Sequence, residues 1–566
     1  MGWRPCVGGV PDNWGGGLAV GLRDQWYKNA IIYCLDVETY ADFDGDGVGD
    51  FMGLTRRLDY LSGLGVTCLW LMPFYPSPNR DDGYDICDYC DVDPRYGSMA
   101  DFAEFMVEAR EHGIHVILDL VPNHTSDQHP WFQAAQRHPH SKYRDYYVWR
   151  EDDPGDTSAE VAFPGVQKSI WTYDEQAKAY YLHHFYPFQP DLNFANAAVR
   201  EEFRKIMGLW LQYGVDGFRI DAAPFLITPK GVDDARGLPQ AHGFLREMKE
   251  FAGLRSGNAI LLGEVDVGLS TLADYFGGGN ELQAVFNFVL NRYLLLALAE
   301  ESADPIKVGL NELPVLPELG QWVNFLRHHD ELNIGRLTRD QRERVFAAFG
   351  PDPDMQLYGR GLRRRLAPML DNDQARLRLA YSLLFSLPGT PLIFYGEEIG
   401  MGEDLALPER MAVRTPMQWS AYDHGGFSCA PPRRFVRPLI SKGEYSYERV
   451  NVGMQRAKPD SLLNWLAALL RTRRECGEIG VGKSKVLRTG DDAVLGLRFD
   501  VPDSTIVVYN NLSRQRRTID IDIGADEVRT ATDLFNDRQY EPLDPRHPRM
   551  KIDGLGYRWL RLRGIY

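Results

Sequence analysis

Four carboxylates in this chain stand where a run of apolar residues stops: Asp119, Asp221, Glu264 and Asp330. Beside them lie Asn123 and His124, just past Asp119; Arg219, two residues before Asp221; and His328 and His329, directly before Asp330. A single aspartate after a strand is commonly the cap of the next helix. Capping does not explain four acids gathered with an arginine and imidazoles at strand ends. Paired carboxylates across a sugar suit glycoside hydrolysis, one attacking the anomeric carbon and the other passing the proton. Arg219 and Asp221 are two apart in an extended run, so their side chains share a face. A guanidinium there lowers the aspartate's pKa and keeps it ionised, as a nucleophile requires. Glu264 sits between Gly263 and Val265 with no cation beside it in sequence, which suits a group that must hold a proton near neutral pH.

A second cluster reads DFDGDGVGD over 42–50. Asp42, Asp44, Asp46 and Asp50 occupy positions 1, 3, 5 and 9 of a loop with Gly47 at position 6, the spacing of oxygen ligands around Ca²⁺. Position 12, where a calcium hand has Glu, is Gly53, and the loop follows a strand, so a helix-loop-helix hand is not expected. A structural Ca²⁺ is expected in preference to chance turn composition; no organic cofactor is. Cys87 and Cys90 form a lone C-x-x-C with no second pair or His at zinc spacing, and read as incidental thiols.

Strand-length apolar runs must position the acids. They are AIIYCLDV (30–37), TCLWLMP (67–73), IHVILDLV (114–121), VDGFRID (215–221), AILLGEV (259–265), AVFNFVL (284–290), WVNFLRHHD (322–330) and TPLIFYGEE (390–398). Between them, LTRRLDYLSGLG (54–65) carries a helical stripe ended by Gly65, and SMADFAEFMVEAREHG (98–113) starts on a Ser98 cap and stops at Gly113. Apolar strands alternating with helices imply a parallel sheet covered on both faces, and eight such units imply a closed barrel with its reactive groups at the strands' C-terminal ends.

The expected fold class is therefore α/β, a (β/α)₈ TIM barrel over 24–121 and 191–483. Residues 122–190, rich in Pro, Asp, His and aromatics, are too long for one helix and read as a lid domain inserted after the third strand. A second insertion, polar and Arg-rich, spans about 331–372. From 484 to 566 the short alternating runs AVLGLRF, STIVVYNN, RRTIDIDI and YRWLRLR predict a C-terminal antiparallel β-sandwich domain. Residues 1–23 are Gly-rich without a hydrophobic stretch, which reads as a flexible extension rather than a signal peptide.

Bulk properties exclude several classes. The net charge of −16, with Lys and Arg scattered, argues against a nucleic-acid partner. No apolar run reaches the ~18 residues that span a bilayer; the best, 383–395, is interrupted by Pro388, Gly389 and Pro391. Seven cysteines, an odd number in 566 residues, point to a reducing compartment, hence a cytoplasmic location. A homo-oligomer is left open.

The motifs DLVPNH (119–124), GFRID (217–221), GE (263–264) and HHD (328–330), with RDDGYD (80–85) and QPDLN (189–193), resemble the signature regions of glycoside hydrolase family 13, the α-amylase family, in order. The resemblance runs from about residue 24 to 566. It implies Asp221 as nucleophile, Glu264 as general acid/base and Asp330 as the group that binds sugar hydroxyls and stabilises the transition state. It implies that His124, His329 and Arg219 contact the glucose whose bond is broken, and that Tyr84 stacks on it. Asp119 would support the site rather than react. Asp81 and Arg414 would close the pocket behind a terminal glucose, and Val48 would add its carbonyl to a Ca²⁺ held by the 42–50 loop.

Within the family, NHTSDQHPWFQ (123–133), HDEL (329–332), RRRLAPMLDND (363–373) and IGMG with VRTPMQW (399–402, 413–419) resemble members that isomerise maltose to trehalose. His328 replaces the usual Asn, and VDVGLS after Glu264 replaces a polar-aromatic run. The expected substrates are small α-glucosides such as maltose. An α-glucosidase that hydrolyses short α-glucosides is the second reading. A non-catalytic carbohydrate-binding barrel is a third; such a barrel would lack the acids this chain keeps.

Overall fold

The computed structural model describes residues 25–227, 230, 242–521, 528–535, 537–543 and 549–564; the 1–23 extension lies outside them. Eight strands form a closed parallel barrel: β1 Ile32–Leu35, β2 Cys68–Leu71, β3 His115–Leu120, β4 Gly217–Ile220, β5 Ile260–Gly263, β6 Ala284–Phe286, β7 Gln321–Phe325 and β8 Thr390–Phe394. Each pairs with its sequence neighbours, and β8 closes on β1 through Ile32 opposite Leu392. Every residue of β1, β2, β4, β5, β7 and β8 is buried, as expected of strands covered on both faces.

Each apolar run contains a strand, and two expected elements change shape. The run 284–290 splits at Asn287, whose side chain accepts from the Leu290 amide (3.0 Å) and caps the helix Phe288–Glu300. A short apolar run does not by itself distinguish strand from buried helix. The stripe 54–65 becomes two helices, Phe51–Thr55 and Leu58–Leu64. Between them Arg57 lies 4.0 Å from the ring centre of Trp419, a distant packing partner invisible to local periodicity. Gly65 caps the second helix at φ 108°, and Ser98 caps Met99–Glu111 in a capping box.

The segment after β3 carries a three-stranded sheet of Trp149–Arg150, Trp171–Asp174 and Ala179–Leu182. The segment after β7 carries the helix Arg339–Phe349 and another small sheet. Beyond the barrel, a five-stranded antiparallel sheet packs on a two-stranded one. Val494, Val507 and Leu560 of the larger sheet share a core with Ile519 and Ile552 of the smaller. No helix among the described residues is long and apolar enough to cross a membrane.

Candidate active site

The C-terminal ends of β3, β4, β5 and β7 converge on one cavity of about 540 Å³, within the ~300–1,000 Å³ usual for small-molecule sites. Strand register does the aligning. Gly217 lies at φ 153°, where a Cβ would meet the Ile260 carbonyl oxygen at 2.2 Å. This close approach lets β4 pair with β5, Ile220 opposite Gly263, so that the next residues of the two strands, Asp221 and Glu264, are neighbours. Ala222 then turns at φ 46°, a conformation L-residues rarely adopt outside functional turns. The turn aims its amide at Glu264 Oε2 (3.0 Å).

Arg219 is the hub of the floor, 1% exposed. One terminal nitrogen donates to Asp119 Oδ1 (2.8 Å) and Asp221 Oδ1 (2.5 Å); the other reaches Glu264 Oε2 (2.8 Å). Asp119 also accepts from Trp70 Nε1 and Tyr84 Oη (3.2 and 2.9 Å), which spends its lone pairs on holding neighbours. Tyr84 stands 2.8 Å from His329 Nε2 and stacks on that ring. His124 lines the cavity, with Nε2 3.2 Å from the Tyr84 carbonyl. Asp330 has two cations of its own, Arg410 at 3.0 Å and Arg414 at 2.8 Å, and His329 Nε2 stands 3.0 Å from its other oxygen. His328 also lines the cavity.

Proton affinities follow from burial and pairing. Burial raises Asp221 and Glu264, each to about 7, with Arg219 opposing and the neighbouring acids adding to the rise. The expectation that Arg219 would hold Asp221 low is thus corrected: loss of water outweighs one guanidinium shared among three acids. Glu264 also has a cation beside it after all, reached across the β4–β5 register. Asp330 goes the other way; although burial raises it, His329, Arg410 and Arg414 hold it well below the usual carboxylate range. Burial lowers His124 to about 4 and His329 to about 3, so both imidazoles are neutral at pH 7. One proton shared by Asp221 and Glu264 is the state that acid/base chemistry with a nucleophile needs.

The expected Asp81–Arg414 closure is also corrected. Asp81 pairs with Arg410 (2.6 Å) and accepts from Gln189 Nε2 (2.9 Å), the Gln of the QPDLN motif. Arg414 is fully buried behind the cavity wall, on Asp82 (2.5 Å), the His329 carbonyl (2.9 Å) and Asp330. Arg410 lies in the short 3₁₀ helix Glu409–Val413 and Arg414 caps its end, and only the path of this segment decides which one reaches Asp81. Sequence reasoning missed Arg410 for that reason. It also missed Phe163 and Arg360, which line the cavity from the two insertions. Buried Lys230 was missed as well; it joins Asp191 to Asn123 Oδ1, both at 2.7 Å, and ties together the two ends of the first insertion.

Away from the barrel mouth, the 42–50 loop brings carboxylate oxygens of Asp42, Asp44 and Asp50 within 4.8 Å of one another. Asp46 lies outside that group, and its Oδ1 accepts from the Val48 amide (2.8 Å). Three converging hard oxygen donors fit a divalent cation such as Ca²⁺. Val48 packs its side chain against the core.

Residues 35–481 match the family model described as alpha amylase, catalytic domain. The chain is 38% identical to the trehalose synthase of Pimelobacter sp., covering 96% of this chain and 97% of that protein. It is also 38% identical to a trehalose synthase/amylase of Mycobacterium tuberculosis, covering 98% and 94%. Among solved structures, the α-amylase from H. orenii superposes with a TM-score of 0.76 at 27% identity, over 95% of this chain and all of that one.

Proposed function

The chain belongs to the α-amylase family, and from that premise we propose that it is a retaining enzyme that isomerises maltose to trehalose and loses part of the glucosyl flux to water. Asp221 attacks the anomeric carbon while Glu264 protonates the leaving oxygen, releasing glucose. The glucosyl-Asp221 ester is then opened by a hydroxyl of that glucose or by water, either of which gives its proton to Glu264. The observation that carries this reading is the bridge of Asp221 and Glu264 by one guanidinium. It supports the short-spaced pair of retaining chemistry, with carboxyls about 5–5.5 Å apart, rather than the wider inverting pair. Asp330, ionised, faces the positive charge that develops on the ring, and Asp81 with Arg410 takes the end of a terminal glucose.

Transfer needs shelter, because water is abundant and the retained glucose wins only through high effective molarity. Over the cavity the two insertions touch. Arg360 donates to the Ala162 carbonyl (2.7 Å), and the Phe163 and Tyr358 rings stack at 5.0 Å. Incubation with maltose and chromatography of the products tests the reading. Trehalose with a smaller share of glucose is expected; glucose alone, even at high maltose, replaces the isomerase by an α-glucosidase. A structural Ca²⁺ on Asp42, Asp44 and Asp50 and a cytoplasmic location belong to the same proposal. The location is supported by the six described cysteines, all free.

A further inference from the structure

Two residues beyond Glu264, where VDVGLS departs from the family's polar-aromatic run, Asp266 gathers three side chains that come from different elements. Its Oδ1 accepts from Arg292 (2.9 Å) of the helix after β6 and from Arg336 Nε (3.2 Å) of the second insertion. Its Oδ2 accepts from Asn333 Nδ2 (2.9 Å), and its carbonyl from Arg336 (3.0 Å). Arg292 is 6% exposed and its Nε donates to the Phe288 carbonyl, so Asp266 carries the compensating charge for it. Asp266, Asn333 and Arg336 all line the cavity on the side where Glu264 stands. We infer that Asp266 is a positioning residue that clamps the second insertion to the end of β5 and shapes the acceptor end for the departing glucose. This rests on the proposed isomerase reading.

Arg336 and Arg292 share the one Asp266 carboxylate, and Glu331 faces Arg360 at 3.8 Å. The clamp sits two residues along the chain from the acid/base. Loosening it would let water reach the glucosyl ester while leaving the nucleophile's own contacts to Arg219 in place.

The test measures the ratio of glucose to trehalose formed from saturating maltose, and inhibition by added glucose of 4-nitrophenyl α-glucoside cleavage. Asp266→Asn, of equal volume, should raise the glucose-to-trehalose ratio at least threefold and weaken inhibition by glucose at least threefold; Asp266→Glu should restore part of both. Arg336→Gln, at a half-exposed side chain that tolerates change, should move both in the same direction by less. A merely structural defect lowers both product routes together, and an unchanged ratio with unchanged glucose inhibition in both Asp266→Asn and Arg336→Gln would overturn the inference. If the unaltered enzyme makes no trehalose at all, the isomerase reading fails on its own. The clamp is then judged by glucose inhibition alone.

Discussion

The floor and the roof of the cavity are built on opposite principles. On the floor, Asp119, Arg219, Asp221, Glu264, His329 and Asp330 come from the ends of rigid barrel strands and are fixed by charge-assisted bonds of 2.5–3.0 Å. On the roof, the two insertions meet through stacked rings and single hydrogen bonds: Phe163 on Tyr358, and Tyr186 and Tyr358 both donating to Glu409. Strand ends hold reacting atoms to a fraction of an ångström, which bond breaking needs; loop contacts close and open, which release of product needs. The difference implies that floor changes should abolish both products together, whereas roof changes should redistribute glucosyl units between glucose and water.

The largest effect expected is on the floor. Asp221→Asn should lower turnover of maltose by ~10⁴-fold or more, since no covalent intermediate can form, in stopped assays of glucose plus trehalose. The same substitution has an opposite effect on stability. The folded pKa near 7 is raised above the usual 3.8, so the ionised carboxyl destabilises the fold fully above about pH 7 and not at all below about pH 4. Asp221→Asn should therefore raise the melting temperature at pH 8 and leave it nearly unchanged at pH 4; a fall at pH 8 would contradict the burial account. For Glu264, raised likewise, kcat/KM should decline as pH rises through about 7, because the acid loses its proton. A rate that keeps climbing to pH 9 would sink that role.

Next comes the boundary between floor and roof. Arg410→Met removes the ion-pair partner of Asp81 and one of the two arginines on Asp330, which should cost ~10²-fold or more in kcat/KM on maltose. Arg410→Lys should recover little, because one point charge cannot serve two acids as a fork does. Smaller still is the roof itself: Tyr358→Ala should increase the share of glucose from maltose by ~2- to 5-fold while total cleavage falls less than that, read by chromatography. Equal loss of both products would erase the distinction between the two regions. The smallest effect lies outside both: chelation with EDTA should lower the melting temperature by ~2–5 °C, and Ca²⁺ should restore it. No shift on chelation would remove the metal from the account.

The same contrast governs what could be read from the residues. Floor groups were legible because a barrel strand ends at a fixed place relative to its apolar run, so Asp119, Asp221, Glu264 and Asp330 had to share a rim. Their proton affinities were less legible. Arg219 is visible two residues from Asp221, but the burial that outweighs it, and the register that carries its guanidinium to Glu264, are not local. Arg410 and Arg414 show the limit: four residues apart on one short 3₁₀ helix and its cap, they differ only in where the chain takes them. The roof pairs residues such as Phe163 and Tyr358 across nearly 200 positions with no periodic pattern to announce the meeting.

The central claim is that one carboxylate pair performs two displacements at the anomeric carbon. Proton NMR during the first minutes of α-glucoside hydrolysis reads this directly, before mutarotation mixes the anomers. The account predicts α-glucose as the first sugar released by water, since two inversions restore the starting configuration. β-Glucose appearing first would show a single displacement and contradict the assignment of Asp221 as nucleophile.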